Sequence, residues 1–404
     1  MRSLSKLLVT RWRGGILTAR MADGRAVQLD MEPEESSCML GSIYIGKVKN
    51  IVKNIGAAFV DLGNGRMGYY SIQDNKTHLF AGGPGGRKLS AGDEIIVQIS
   101  RDAVKTKAPV LTSALNFPGR YCVLTLGNTA VGVSAKIKDG EKRQALRRIA
   151  EEHTDGSFGL VIRTNAEKAS EKDLTEEIGH LKKRLLDVLD RGGKRTCYSC
   201  LYRAIPSYIQ GIRDAYAGDL EAIITDVPGI FEELFSYLSE FQPEDTGKLT
   251  LYEDPLLPLE KLYSLERAVG QALSKKAWLK SGGYLVIEPT EALVVVDVNS
   301  GKYDGRKCPD DAILKINLEA ADELSRQLRL RNLSGIIIAD FIDMAREGDR
   351  ETLMARLRQT AAADPVKTAV VEMTKLGLVE MTRKKVRRPF YEQYRQIAGG
   401  CAED

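Results

Sequence analysis

Apolar residues in this chain fall mostly in short runs, and their spacing alternates between the period of a strand and that of a helix. Near the N-terminus, LLVTRW, GGILTARM and GRAVQLDM read as successive strands, with Asp23-Gly24 as the hairpin turn before the last. From Gly41 to about Leu115, short alternating strands follow one another between glycine-rich turns. One connection, AGGPGGRKLSAGD at 81–93, is a flexible loop by composition. Five or so strands in ~75 residues suit a small Greek-key barrel of the OB type. Between 141 and 190, EKRQALRRIAEEH and EKDLTEEIGHLKKRLLDVL have helical spacing on either side of the strand GLVIRT, an α/β pattern. Residues 205–280 mix elements, PGIFEELFSYLSEF among them, and no internal repeat or low-complexity tract occurs.

The most telling pattern lies between Glu291 and Met344. Two short apolar runs there end in aspartate: ALVVVDVNSG at 292–301 and SGIIIADFIDM at 334–344. Val294, Val295 and Val296 predict a buried strand running into Asp297, and Ile336, Ile337 and Ile338 predict another ahead of Asp340 and Asp343. Between them, roughly over 311–333, Leu314, Leu318, Ala321, Leu324 and Leu328 fall at helical spacing, with Arg and Lys on the other face. A strand, a helix of about five turns and a second strand make a βαβ-like unit. Its two carboxylate-bearing strand ends can then lie side by side, where open sheets place their sites. Such a pair can hold Mg²⁺, which takes few protein oxygens and keeps waters for a substrate phosphate. Asp-Val-Asn-Ser-Gly is equally good turn chemistry, so spacing alone leaves both readings open.

Composition narrows the setting. The chain has 404 residues, 43% hydrophobic and 28% charged, as expected of a soluble protein of several domains. MRSLSKLLVTRWRGG lacks the apolar core of a signal peptide, and no stretch approaches the length of a membrane span. Six scattered cysteines and no leader predict a cytoplasmic protein without a disulfide scaffold. A net charge of +4 permits a polyanionic partner without requiring one. The three histidines, His78, His153 and His180, lie among polar residues, read as solvent-facing, and are remote in sequence from Asp297–Asp343. Histidine acid–base chemistry is therefore poorly supplied, and metal-activated water is the better account of any phosphodiester hydrolysis.

The run DVNSGKYDG, then NLEAADELSRQLRLRNLSG, then IIIADFIDM resembles the catalytic segment of the ribonuclease E/G family of bacterial endoribonucleases. The resemblance extends through SGGYLVIEPTEAL and MTKLGLVEMTRKK, and returns in IYIGKVKNI, GAAFVDLG and GLVIRT. It implies a multidomain α/β protein. Residues 1–38 with 215–280 would form an RNase H-like domain, 39–119 an OB-fold RNA-binding domain and 120–214 a 5′-sensor region. Residues 281–396 would form a DNase I-like catalytic domain, leaving 397–404 as a tail.

The barrel carries the first group of expected contacts. Lys47, Lys49 and Lys53 interleave with apolar residues, and alternation puts Lys47 and Lys49 on one face, suited to a phosphate backbone. Phe59 and Tyr69 flank a turn at Asn64. A three-residue loop there sets them opposite each other as a stacking pair, whereas a two-residue loop pairs Phe59 with Tyr70. The rings are otherwise ordinary barrel core. The resemblance implies that RNA stacks on Phe59 and Tyr69 with Lys107 nearby.

It further implies that Arg163 and Thr164 grip a 5′-monophosphate, with Val123 beside the first base. Asn165-Ala166-Glu167, and Ala135-Lys136 where an arginine pair is common, depart from the family pattern and predict a weaker end preference. By the same comparison Asp297 and Asp343 coordinate Mg²⁺ and Asn299 orients a carboxylate or the scissile phosphate. Asp340, three residues before Asp343 in the DFID run, reads as supporting a ligand from behind or as structural. Lys375, Arg383, Lys384, Lys385, Arg387 and Arg388 make the C-terminal end basic, either as a solvated face or as phosphate contacts.

Cys197-Tyr-Ser-Cys200 has metal-type spacing but no second pair nearby. The CPxC link of the larger family members is absent where RRPFYEQYRQIAGGCAED ends, so no structural zinc is expected. A homodimer is then expected in place of a zinc-linked tetramer. The implied activity is Mg²⁺-dependent cleavage of single-stranded RNA, in messenger decay and ribosomal RNA maturation, leaving 5′-phosphate and 3′-hydroxyl ends. A non-catalytic RNA-binding protein is the alternative, and it would need no paired aspartates. A phosphohydrolase of small substrates would have no use for the barrel.

Overall fold

The computed structural model describes residues 4–34, 40–82, 86–101, 108–215, 219–301 and 309–399. The chain forms two compact units, Met1–Glu34 with Asp219–Asp404, and Glu35–Gly218.

The discontinuous unit contains two sheets. The first has the order Leu249–Leu251, Leu220–Thr225, Ser5–Trp12, Gly15–Ala22, Arg25–Pro33. Ser5–Trp12 runs parallel to Leu220–Thr225, pairing Leu8 with Ile224, and antiparallel to Gly15–Ala22. Positive φ at Arg13-Gly14 and at Asp23-Gly24 makes the two tight hairpin turns. Leu8, Leu17 and Leu29 are buried against Leu265, Val269 and Phe390.

The second sheet has the order Lys276–Trp278, Tyr284–Pro289, Leu293–Asn299, Gly335–Asp340, Leu378–Arg383, Thr368–Met373. Leu293–Asn299 and Gly335–Asp340 are adjacent and parallel, with the helix Pro309–Leu330 between them in sequence. That helix and Glu347–Ala363 cover one face, into which Val294, Val296, Val298, Ile337 and Ala339 point. The opposite face is open: Val295, Asp297, Ile336 and Asp340 are all exposed. The runs Val294–Val296 and Ile336–Ile338 are therefore buried on alternate residues only, as the two-residue period of a half-covered sheet dictates.

The helix also differs from its predicted form. It stops at Leu330, before Asn332 turns left-handed at φ 49°. Its buried stripe is Ile316, Ala320, Ala321, Leu324 and Leu328, while Leu314 and Leu318 are only half-buried. The apolar arc is wide because the helix packs on both a sheet and a neighbouring helix, and Leu318 lines the groove beside that neighbour.

In the continuous unit, Ile43–Val52, Ala57–Asp61, Met67–Ser71, Val110–Thr112 and Glu94–Arg101 form a closed five-stranded barrel. Closure follows from Ile43–Val52 pairing with both Ala57–Asp61 and Glu94–Arg101. Val60, Leu62, Tyr70, Ile95, Val97 and Leu111 fill it. The barrel is OB-like, as the strand count predicts. His78 is not solvent-facing: its Nδ1 lies 2.8 Å from Tyr70 Oη and its ring packs edge-on to Phe80. Burial lowers its pKa, opposed in part by Asp93.

A second layer has the sheet order Val131–Val133, Phe158–Ile162, Cys122–Leu126, Asn116–Pro118. Two helices back it. Gly140–Glu152 starts where the Asp139 side chain accepts from Glu141 N and Lys142 N, and Glu171–Lys194 starts at a Ser170–Asp173 capping box. Leu174, Ile178, Leu181 and Leu185 of the longer helix share a core with Phe117, Phe158 and Leu160. Among the described residues, no helix is long and apolar enough to cross a membrane.

Candidate active site

The parallel ladder sets Asp297 opposite Asp340. Both carboxylates stand on the open sheet face, on strands about 4.8 Å apart. Asn299 shares that face by alternation, and its Nδ2 donates to Asp297 Oδ2 at 2.7 Å. Asp340 is the residue beside Asp297, because it is the last paired position of its strand. Asp343 lies three residues beyond, on a loop, and lines a recess of about 250 Å³ with Arg350, Lys375 and Gly377.

That loop is fixed from the buried side by Asn317. Its amide donates to Ile342 O at 2.8 Å and accepts from Ile342 N at 3.1 Å. Asn317 is fully buried, so these two bonds are what make its burial tolerable. The available signal was a polar residue inside the apolar stripe Ile316–Ala320, which a search for titratable groups passes over.

Asp297, Asp340 and Asp343 form no ion pair among the described residues. No cluster of three or more His, Cys, Asp or Glu side chains able to enclose a metal ion occurs among them either. Two exposed carboxylates without a basic partner suit Mg²⁺, which uses one or two and keeps several waters. The basic C-terminal stretch divides. Arg383 is buried, donating to Asp364, Asn332 Oδ1 and Leu333 O, so it holds the fold and does not meet phosphates. Arg387 pairs with Asp30 at 2.9 Å, whereas Lys375, Lys384 and Lys385 are exposed.

On the barrel, Phe59 is directly opposite Tyr69, and Tyr70 points into the core. The Phe59 and Tyr69 rings are half-buried, with centroids 6.2 Å apart and nearly perpendicular. They form part of the outer surface, outside the packed interior. Lys49 falls at a register shift and pairs with Asp61 at 3.4 Å, so its charge is partly neutralised. Lys107 lies outside the described residues.

In the second layer, the strand Phe158–Ile162 leads into Arg163, whose Nη1 donates to Gly119 O at 2.6 Å and to Asp214 Oδ1 at 2.7 Å. Its Nε and Nη2 make no hydrogen bond among the described residues, leaving one edge of the fork available. Asp214 is also held by Arg213. Burial raises the Asp214 carboxyl, but Arg213 and Arg163 outweigh it and hold its pKa at about 2.

Thr164 Oγ1 lies 3.0 Å from Ser134 Oγ. Val123 pairs with Val161 and Tyr121 O accepts from Arg163 N, so Val123 shares a face with Arg163. Asn165 is buried and donates to Ala215 O, which gives this departure from the family pattern a structural role. Asp214 was illegible beforehand because it meets Arg163 only across the fold. Cys197 and Cys200 form no disulfide among the described residues.

The sequence pattern of the Ribonuclease E/G family matches residues 116–386, and the chain belongs to that family. Ribonuclease G of Escherichia coli (strain K12) is 35% identical over 393 residues, covering 95% of this chain and 80% of that protein. Ribonuclease G of Salmonella typhimurium is 34% identical over the same span. Ribonuclease E of Nostoc sp. is 33% identical over 368 residues, 90% of this chain and 53% of that protein.

Proposed function

We propose that this chain is a Mg²⁺-dependent endoribonuclease that cuts single-stranded RNA, with Asp297 and Asp340 as the principal metal-holding pair. The register that sets these two exposed carboxylates side by side, in a member of the ribonuclease E/G family, carries the reading. Asn299 holds the Asp297 carboxylate in one orientation, and Asn317 holds the loop on which Asp343 approaches the same end of the sheet. Bound by these carboxylates, Mg²⁺ would polarise the phosphodiester and make water a competent nucleophile near neutral pH. In-line attack by water leaves 5′-phosphate and 3′-hydroxyl ends. On the barrel, Phe59 and Tyr69 offer stacking surfaces for bases. At the second layer, the available edge of Arg163, with Thr164 and Val123, suits a terminal phosphate and its nucleotide.

Cleavage of a 5′-monophosphorylated single-stranded oligonucleotide, with and without Mg²⁺, tests the reading. Asp297→Asn and Asp340→Asn are each expected to lower the rate by about 100-fold or more, with RNA affinity in EDTA nearly unchanged. Asp343→Asn should cost less. If Asp340→Asn keeps over a tenth of the parent rate while Asp343→Asn is inactive, the metal pair is Asp297 with Asp343.

The same assay reads end sensing. The 5′-monophosphate substrate should be cut faster than its 5′-hydroxyl counterpart, and Arg163→Ala should erase the difference while sparing the slower basal rate. The preference should be modest, because Asp214 already engages Arg163 and Ala135 adds no charge. Equal parental rates on both substrates would reject the sensor.

A further inference from the structure

The strand ladders arrange the open face of the six-stranded sheet in rows. One row runs Lys276, Val286, Asp297, Asp340, and the next runs Trp278, Tyr284, Asn299. Trp278 is 66% exposed, whereas Trp12, the other tryptophan, is 7% exposed. Tyr284 stands between Trp278 and Asn299, its ring centroid 5.1 Å from that of Trp278. The Lys276 ammonium lies 4.6 Å from the Tyr284 centroid, over the ring. Tyr284 is thus braced by a cation and an indole, and Trp278 projects outward from this support.

We propose that Trp278, backed by Tyr284 and flanked by Lys276, is a stacking subsite for a base of single-stranded RNA next to the phosphodiester that is cut. The inference rests on Asp297 and Asp340 as the cleavage site. Two strand spacings, about 10 Å, separate Trp278 from Asn299 along the row, within reach of a nucleotide neighbouring the scissile phosphate. An indole face accepts any base, which suits a substrate recognised as single-stranded. Lys276 supplies positive charge for a phosphate beside a row otherwise dominated by carboxylates. A second copy of the chain packed on this face would have to bury Lys276, Asp297 and Asp340, and desolvating those charges opposes it. A hydrated, charged ligand with a flat aromatic base meets both parts of the surface.

Intrinsic fluorescence of the whole chain, titrated with a single-stranded RNA decanucleotide in EDTA, tests this directly because Trp12 is buried. Binding should quench the signal, and Trp278→Phe should remove the quenching while keeping most of the affinity. Trp278→Ala should weaken binding by roughly 5- to 150-fold, the range expected for one stacked base. With an oligonucleotide lacking the base nearest the cut, parent and Trp278→Ala should bind equally.

Unquenched fluorescence on saturation with RNA, or full affinity in Trp278→Ala, would overturn the subsite. So would an affinity loss in Trp278→Ala accompanied by a smaller mass in light scattering, since the ring would then be covered by a second copy. Cleavage by the parent chain with Mg²⁺ separates the two readings. Normal cutting with a silent Trp278 rejects the subsite alone, and a quenched Trp278 without cutting rejects the nuclease centre.

Discussion

Asp297 depends on a neighbour for its orientation. The carboxylate is exposed at a strand end, and Asn299 fixes one of its oxygens through a 2.7 Å bond from the same face of the same strand. A carboxylate held in this way would lose less freedom on taking up a cation. Asn299→Ala should therefore raise the Mg²⁺ concentration for half-maximal rate by about 10- to 100-fold, the usual cost of removing such a support. RNA affinity in EDTA should not change. Initial rates over a Mg²⁺ titration measure this, and an unaltered midpoint would mean that Asn299 acts on substrate. Asn299 could be assigned beforehand because an i, i+2 relation on a strand is local. The place of Asp340 opposite Asp297 was not legible in the same way, because it crosses between strands.

At the scale of elements, a single carboxylate joins the long helix to the turn beside Arg163. Glu177 of Glu171–Lys194 accepts from the backbone N–H groups of Arg120, Tyr121 and Cys122. That turn presents Gly119 O to Arg163 and leads into the strand carrying Val123. A Cβ on Gly119 would come within 2.5 Å of the Glu177 carboxylate, so a larger residue there has to displace the carboxylate from the turn. Glu177→Ala would strand three donors and should cost on the order of 3 kcal/mol in chemical denaturation. Gly119→Ala should also destabilise, and the two losses should fall well short of additive, since both act on one contact. Full additivity in the double variant would show that the turn is held by something else. The helix itself was readable from its period and its Ser170 cap, whereas the turn it holds was not.

For the whole molecule, the chain order and the order of assembly differ. Residues 35–218 form their own unit, while Ser5–Pro33 completes a sheet with Leu220–Thr225 and Leu249–Leu251. A fragment of residues 35–218 should consequently unfold in one cooperative transition and bind single-stranded RNA without cutting it. Residues 219–404 alone should fail to fold stably, because Leu220–Thr225 loses Ser5–Trp12, one of the two strands it pairs with, and the rest of that sheet. Circular dichroism melts and a gel-shift on both fragments measure this. A folded 219–404 fragment, or an unfolded 35–218 fragment, would contradict the division.

Much of the local structure was fixed by the sequence itself. Period-2 runs gave the barrel strands, glycine with Asp or Asn gave the hairpin turns, and the 3.6 period gave the helix before Asp340. These signals are legible because backbone sterics and apolar burial act over a few residues. The resemblance then supplied the family and most of the candidate residues. Strand register and side-chain partners beyond reach of the local chain were decided only in three dimensions. Register put Asp340 opposite Asp297, and opened one face of a sheet whose strands read as buried throughout. Folding also gave Arg163 an acidic partner in Asp214, took Arg383 out of the basic surface, and left Trp278 standing beside the carboxylates. Each of these outcomes joins residues that the chain keeps apart, and local patterning carries no information about such distances.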